Sequence, residues 1–291
     1  TGDFNITTGS SFTIPSTSGL YLNTPSNVYI GNAATDGNDL YLSGKLTLAA
    51  THTGTVYVGQ PAAPDNDNDI EYFGSGSSEI DIQGGSLIVN GQIRRNPAIA
   101  SGILQYSQTG GAVIINGRSA NTSNAKFEVL NNGSSFIMSD GTLTIVRGGG
   151  GIAYGDLFIR PQTASVTGGT IYLQTVNNIS APEETFRIDA SVALNNLTIT
   201  GFDADDATRA SLTVNPLNLN GNLVLFRQFF YFINNLAMYR GLQVNTFQLF
   251  TGLHGFGNCF SANYQAAFFG AMMLMLLTEI FHNANLCFIV V

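Results

Sequence analysis

The sequence predicts an all-β chain folded as a parallel β-helix, or β-solenoid. Of its 291 residues, 44% are hydrophobic and only 10% are charged, and 33 are Gly. Its apolar residues recur two apart in short runs that end in Gly, Asn or Asp, a pattern typical of short strands between turns. Similar runs begin at Gly84 and again at Gly110. A period in the range of roughly 20–50 residues indicates a solenoid or a related repeat architecture.

The repeat is clearest where GGSLIVNG (84–91) is followed by GGAVIING (110–117). GGTIYLQT (168–175) opens in the same way, and the interval from Gly110 to Gly168 is close to two further steps of the same length. Polar inserts of variable length separate the runs, and this favours coils of constant cross-section over propeller blades. We therefore expect roughly 20–25 residues per coil and on the order of a dozen coils, with Val, Ile, Leu and Phe pointing inward.

Asn recurs where these coils are expected to turn, at Asn90, Asn116, Asn195 and Asn196. Asn tolerates the left-handed backbone that tight corners require. We interpret these four residues as structural corner residues and not as a binding site.

Two long stretches carry a family resemblance. GGSLIVNGQIRRNPAIASGILQYSQTGGAVIINGR (84–118) and NAKFEVLNNGSSFIMSDGTLTIVRGGGG (124–151) resemble the β-helical repeat regions of very large secreted surface proteins of Bacteroidota. The resemblance covers about residues 1–225 and is clearest in 84–175. It implies a right-handed parallel β-helix that is one extracellular segment of an adhesin-like protein, exported through the type IX secretion system. The shared motif is structural and implies no catalytic residues.

Charge limits the partners of the chain. Eighteen of the 19 acidic residues and nine of the 11 basic residues lie in 1–210, and the whole chain has a net charge of −8. A nucleic-acid interface needs clustered Lys and Arg, so we predict no nucleic-acid partner. An acidic surface suits cations or saccharides. The expected partners are surface glycans, other surface or secretion-system proteins, or further copies of this chain.

The strongest cation candidate is the loop DNDND, in which Asp65, Asp67 and Asp69 alternate with Asn. Such a loop places several hard oxygen ligands near one ion, as Ca²⁺ requires. Ile70, however, stands where a calcium loop needs its turn Gly, and the distal bidentate Glu is missing. The open alternative is a solvated loop whose Asp and Asn favour turns.

A second acidic loop, with Asp203, Asp205 and Asp206, raises an enzymatic alternative. Asp205, Asp206 and His254 faintly resemble the paired carboxylates and the histidine of β-helical pectin hydrolases, for which one carboxyl must be protonated and one ionised. The Asn-Thr-Asp element and the Arg-x-Lys substrate clamp of that family are absent. We therefore predict a non-enzymatic structural or adhesive role, with a polysaccharide-degrading enzyme as the alternative.

The last part of the chain, residues 226–291, changes chemistry but keeps the rhythm of Gly corners. Twelve of the 20 Phe lie after residue 225. We interpret residues 1–225 as coils with variable inserts and 226–291 as a continuation of the β-helix or a C-terminal cap, and we place no functional residue there.

Three explanations for these aromatic residues stay open: contact with a membrane, packing against a partner chain, or residue identities after 225 that do not represent the translated gene. The longest apolar run is AAFFGAMMLMLL (266–277). Since a spanning helix needs about 20 apolar residues and this run is much shorter, we predict that the chain does not span a membrane.

Overall fold

The computed structural model describes residues 2–35, 37–61, 68–74, 78–117, 125–149, 155–175, 185–201, 209–226, 246–250 and 259–262. These residues form one 21-stranded sheet wound into a β-solenoid, and no helix occurs among them. The predicted fold class, an all-β chain of stacked parallel strands, is confirmed.

The strands are short at the start of the chain and longer in its middle. The first eleven are β1 (Phe4–Asn5), β2 (Phe12–Ile14), β3 (Gly19–Leu22), β4 (Val28–Ile30), β5 (Leu40–Leu42), β6 (Lys45–Leu48), β7 (Thr55–Val58), β8 (Ile70–Tyr72), β9 (Ser78–Ile82), β10 (Ser86–Val89) and β11 (Ile93–Arg95). The others are β12 (Leu104–Ile115), β13 (Phe127–Ile145), β14 (Leu157–Val166), β15 (Thr170–Gln174), β16 (Thr185–Ala190), β17 (Asn196–Thr200), β18 (Arg209–Leu212), β19 (Asn222–Phe226), β20 (Thr246–Phe250) and β21 (Cys259–Ala262).

Parallel pairing joins these strands into three ladders, one for each side of the coil. The first ladder runs through β1, β4, β7, β10, the ends of β12 and β13, and then β15, β17, β19 and β20. The second runs through β2, β5, β8, β11, the starts of β13 and β14, and then β16 and β18. The third contains β3, β6, β9, the start of β12, the middle of β13 and the end of β14.

The coils are longer and fewer than the sequence predicts. Along the second ladder, successive partners are Phe12, Leu40, Ile70, Ile93 and Phe127. Most of these steps exceed the expected coil of roughly 20–25 residues, because each full coil passes three strands and three corners. The described part of the solenoid therefore makes fewer turns than the predicted dozen.

The core is a set of apolar columns, because residues of the same register stack on one another from coil to coil. One column of the first ladder is buried from β4 to β19 and consists of Val28, Val56, Leu87, Val113, Leu143, Ile171, Leu197 and Leu223. Burying one such side chain contributes about 1.5–3 kcal/mol. The period-two pattern of the sequence places every second residue in these columns, which explains why the apolar runs alternate.

The Gly-Gly pairs that mark the repeat have a steric role. Gly85 and Gly111 both have positive φ, at 61° and 62°, a conformation that other residues rarely adopt. They also stack directly, since a Cβ atom on Gly111 would lie 2.7 Å from the carbonyl oxygen of Gly85. The repeat therefore preserves Gly because both the turn and the close approach of the next coil exclude a side chain.

The corner asparagines do not have the predicted backbone. The one residue other than Gly that has positive φ in the described part of the chain is Asn131, at 82°. The corner side chains instead bond from coil to coil: Asn116 Nδ2 donates to Asn90 Oδ1 at 3.4 Å, and Asn196 Oδ1 accepts from Asn222 N at 2.9 Å. The prediction that these asparagines adopt a left-handed backbone conformation was wrong. Their side chains instead form hydrogen bonds with the adjacent coil.

Two short strands of the aromatic tail are described. β20 continues the first ladder in parallel, and β21 pairs antiparallel with β20. The other residues after 226 lie outside the described part, so the choice between a continued β-helix and a cap stays a prediction. In the described ranges, no helix has the length and hydrophobicity needed to cross a membrane.

Candidate functional site

The predicted calcium loop is described only at its end. Asp65 and Asp67 fall in 62–67, outside the described residues, whereas Asp69 lies directly before β8 and is 1% exposed. The described residues contain no group of three His, Cys, Asp or Glu side chains that is arranged to hold a metal ion. The calcium site at Asp65, Asp67 and Asp69 therefore stays a prediction.

Both carboxylate oxygens of Asp69 accept hydrogen bonds from the next coil. Its Oδ2 accepts from Arg94 Nε at 2.7 Å, and its Oδ1 accepts from the backbone N–H of Gln92 at 2.5 Å. Asp39 repeats the second contact one coil earlier, since its Oδ1 accepts from Asp69 N at 2.8 Å. These buried aspartates thus join successive coils at the entrance to the second ladder.

Arg94 also binds a second carboxylate on the outer side of the second ladder. Its Nη2 lies 2.7 Å from Glu71 Oε1, and the two side chains are only 9% and 8% exposed. Asn96 Nδ2 donates to the other oxygen of Glu71 at 2.5 Å. Burial raises the pKa of Glu71, and the positive charge of Arg94 opposes that shift. Arg94 is therefore a structural cation held between two coils.

The neighbouring Arg95 makes a comparable contact with the coil that follows. Its Nε lies 2.8 Å from Glu128 Oε1, and the Glu128 side chain is fully buried. The same oxygen accepts the backbone N–H of Arg95 at 2.7 Å. The sequence did not indicate this pair, because 33 positions separate the two residues and only the length of the coil brings them together.

The residues that suggest the enzymatic alternative lie outside the described part of the chain. Asp203, Asp205 and Asp206 fall in 202–208, and His254 falls in 251–258, so all four lie outside the described residues. The enzymatic alternative stays a prediction without a geometric test.

The outer face of the first ladder carries columns of repeated polar and aromatic side chains. Tyr29 and Tyr57 are stacked in register, with ring centroids 5.0 Å apart and planes 9° from parallel. The column beside them presents mostly small polar side chains to solvent, namely Thr55, Ser86, Ala112, Thr142, Thr170 and Asn196. This face therefore presents small polar side chains at most of its coils along the axis of the solenoid.

A groove of about 450 Å³ opens where the second ladder turns toward the third. Its described lining comes from four successive coils and is called the corner groove: Thr13, Pro15, Ser16, Ser43, Phe73, Gly74 and Ile99. Phe73 is half-buried, and the ring of Tyr41 packs edge-on against it at 5.6 Å and 82°. No local motif predicts this groove, because its lining residues are spread along the chain from Thr13 to Ile99.

Comparisons with protein-family models, with curated proteins and with solved structures found no match.

Proposed function

We propose that this chain is a non-enzymatic, extracellular segment of a large cell-surface protein, with a structural and adhesive role. The stacked coils form a rod, and the outer faces of the rod bind surface glycans weakly along their length. Other surface or secretion-system proteins, and further copies of the chain, are the alternative partners.

One observation carries the proposal: one outer column of the first ladder presents a hydroxyl side chain at four of the five coils from β7 to β15. Thr55, Ser86, Thr142 and Thr170 lie in one register, which Ala112 interrupts between Ser86 and Thr142, and their hydroxyl groups both donate and accept hydrogen bonds. Adjacent strands are about 4.8 Å apart, so the hydroxyls form a row along the axis. Many weak contacts made together give useful avidity, even where each contact alone is weak.

The cellular setting is proposed from the resemblance of residues 84–118 and 124–151. It supports an adhesin-like protein of Bacteroidota that reaches the cell surface through type IX secretion. Secretion of a reporter fused to the parent protein, compared between cells with and without that system, tests this setting.

The adhesive role is tested on the whole chain with a glycan array, a cell-attachment assay and an assay for released reducing sugar. We expect binding to arrayed glycans or to cells, with no release of reducing ends. Release of reducing ends that is abolished by Asp205→Asn would instead establish the polysaccharide-degrading alternative. If the chain neither binds glycans or cells nor releases reducing ends, the adhesive role is refuted.

A further inference from the structure

The corner groove combines an apolar platform with hydroxyl groups. Phe73, Pro15 and Ile99 supply the apolar surface, and Thr13, Ser16 and Ser43 supply hydroxyls. Ligand sites in proteins commonly have this make-up, with a mainly apolar lining and a few polar groups that fix orientation. The groove therefore suits a ligand that has both an apolar face and several hydroxyl groups.

The charge of the groove further limits the class of ligand that it can bind. The chain carries a net charge of −8, yet none of the described residues that line the groove is charged. A phosphate or carboxylate ligand is best held by Arg, Lys or a metal ion, and the described lining offers neither an Arg nor a Lys. An uncharged ligand is favoured, because it needs no cation and experiences no strong attraction or repulsion from the acidic surroundings.

The walls of the groove are held in place by bonds between coils. Ser43 N donates to the Ile14 carbonyl at 2.9 Å, and Phe73 N donates to the Leu42 carbonyl at 3.1 Å. The turn that carries Pro15 is closed by a further bond, from Ser18 N to the Pro15 carbonyl at 2.9 Å. A site built on such supports loses little conformational entropy when a ligand binds.

We propose that the corner groove binds a neutral oligosaccharide. The C–H face of one sugar ring packs on Phe73, and the sugar hydroxyls bond to Thr13, Ser16 and Ser43. Since the lining spans four coils about 4.8 Å apart, the groove is about 14 Å long, and the oligosaccharide lies along the axis of the solenoid. This inference rests on the adhesive function proposed above and assigns one specific site to it.

The test is saturation-transfer difference NMR and titration calorimetry on the full chain, with maltotriose, cellotriose and N-acetylchitotriose as neutral probes and trigalacturonate as the acidic probe. We expect at least one neutral probe to bind and trigalacturonate to bind more weakly. Phe73→Ala should raise the Kd of the neutral probe by about tenfold, since loss of the aromatic platform removes most of the apolar contact. Ser43→Ala, which removes one hydroxyl and little volume, should raise the Kd by about three- to tenfold.

Tyr21→Ala is the matched control, because it removes an exposed aromatic ring from β3 in the third ladder, outside both the corner groove and the first-ladder face that carries the hydroxyl column. It should leave the Kd of the neutral probe unchanged. If circular dichroism shows that Phe73→Ala does not fold like the parent, the Kd of Ser43→Ala tests the groove proposal alone. Equal binding by the parent, Phe73→Ala and Ser43→Ala would overturn the groove proposal while leaving the adhesive function intact. If neither the probes nor arrayed glycans and cells bind the parent chain, the adhesive function fails, and the groove proposal fails with it.

Discussion

The carboxylate of Asp69 accepts a hydrogen bond from Arg94 Nε at 2.7 Å, across 25 positions of sequence, and both side chains are almost fully buried. Breaking a buried pair by removing one partner leaves an uncompensated charge, which is strongly destabilising. We therefore expect Asp69→Asn to lower the free energy of unfolding by about 3 kcal/mol, measured by urea denaturation. Asp140→Asn, at an exposed carboxyl that bonds to the adjacent Gly141 N–H, is the control and should change stability little. Equal midpoints for the two variants would contradict a structural role for the pair.

Calcium binding by the DNDND loop can be separated from the structural role of Asp69. A ligand that binds only the folded state raises its stability, so a chelator should lower the Tm of the parent chain and added Ca²⁺ should restore it. Asp67→Ala should show no response to either treatment. Asp69→Asn should have a lower Tm in both conditions, because the Asp69 oxygens already bond to Gln92 and Arg94. A parent chain whose Tm is the same with chelator and with Ca²⁺ would refute the calcium prediction.

His52 should make the stability depend on pH. Its side chain is 1% exposed, and Nδ1 accepts the backbone N–H of Thr24 at 3.0 Å. Burial lowers the pKa of His52 in the folded state below the ordinary value of about 6.5, so below that pH the unfolded chain binds more protons. The stability contributed by neutral His52 is therefore complete above about pH 6.5 and declines as the pH falls through that value.

The measurement is the urea midpoint between about pH 7.5 and pH 5.5, for the parent and for His52→Asn. The amide oxygen of Asn can accept the Thr24 N–H but does not titrate in this range. The parent should lose stability more steeply than the variant. Parallel profiles would show that His52 does not titrate differently in the folded and unfolded states.

Gln92 is a place where an apolar residue should stabilise the fold. Its side chain is fully buried, and within the described part of the chain neither Nε2 nor Oε1 has a hydrogen-bond partner. A buried polar group without a partner loses its hydration and gains nothing in return. We expect Gln92→Met, which conserves volume, to raise the free energy of unfolding by about 1 kcal/mol. Gln174→Met, at an exposed position of β15, is the matched control and should change it by less than about 0.5 kcal/mol.

The aromatic tail can be tested by tandem mass spectrometry of the protein from its native source. If the residue identities after 225 do not represent the translated gene, no peptide should match FRQFFYFINNLAMYR (226–240), whereas peptides from 1–225 should be recovered. Detection of that peptide would refute this explanation. It would favour the aromatic residues as a surface for a partner chain, since large exposed apolar patches are normally interfaces.

The sequence predicts the parts of the fold that depend on near neighbours. Alternation of apolar and polar residues places Val56 and Val58 inside the coil and Tyr57 outside, because successive side chains of a strand point to opposite faces. The Gly-Gly pairs predict the corners, since their second residue requires positive φ at Gly85 and Gly111. The return of the same run one coil later then predicts the solenoid. Each of these signals is contained in a short window or in one spacing.

Only the tertiary structure decided which residues of successive coils meet. The step along the second ladder is longer from Ile93 to Phe127 than from Ile70 to Ile93, so register depends on the length of each insert and not on local pattern. For this reason the Arg94 contacts, the coil-to-coil bonds of the corner asparagines and the four-coil lining of the corner groove had no sequence signal. The sequence of a strand determines which of its side chains point inward and outward. A contact with the next coil also depends on the number of residues between the two partners.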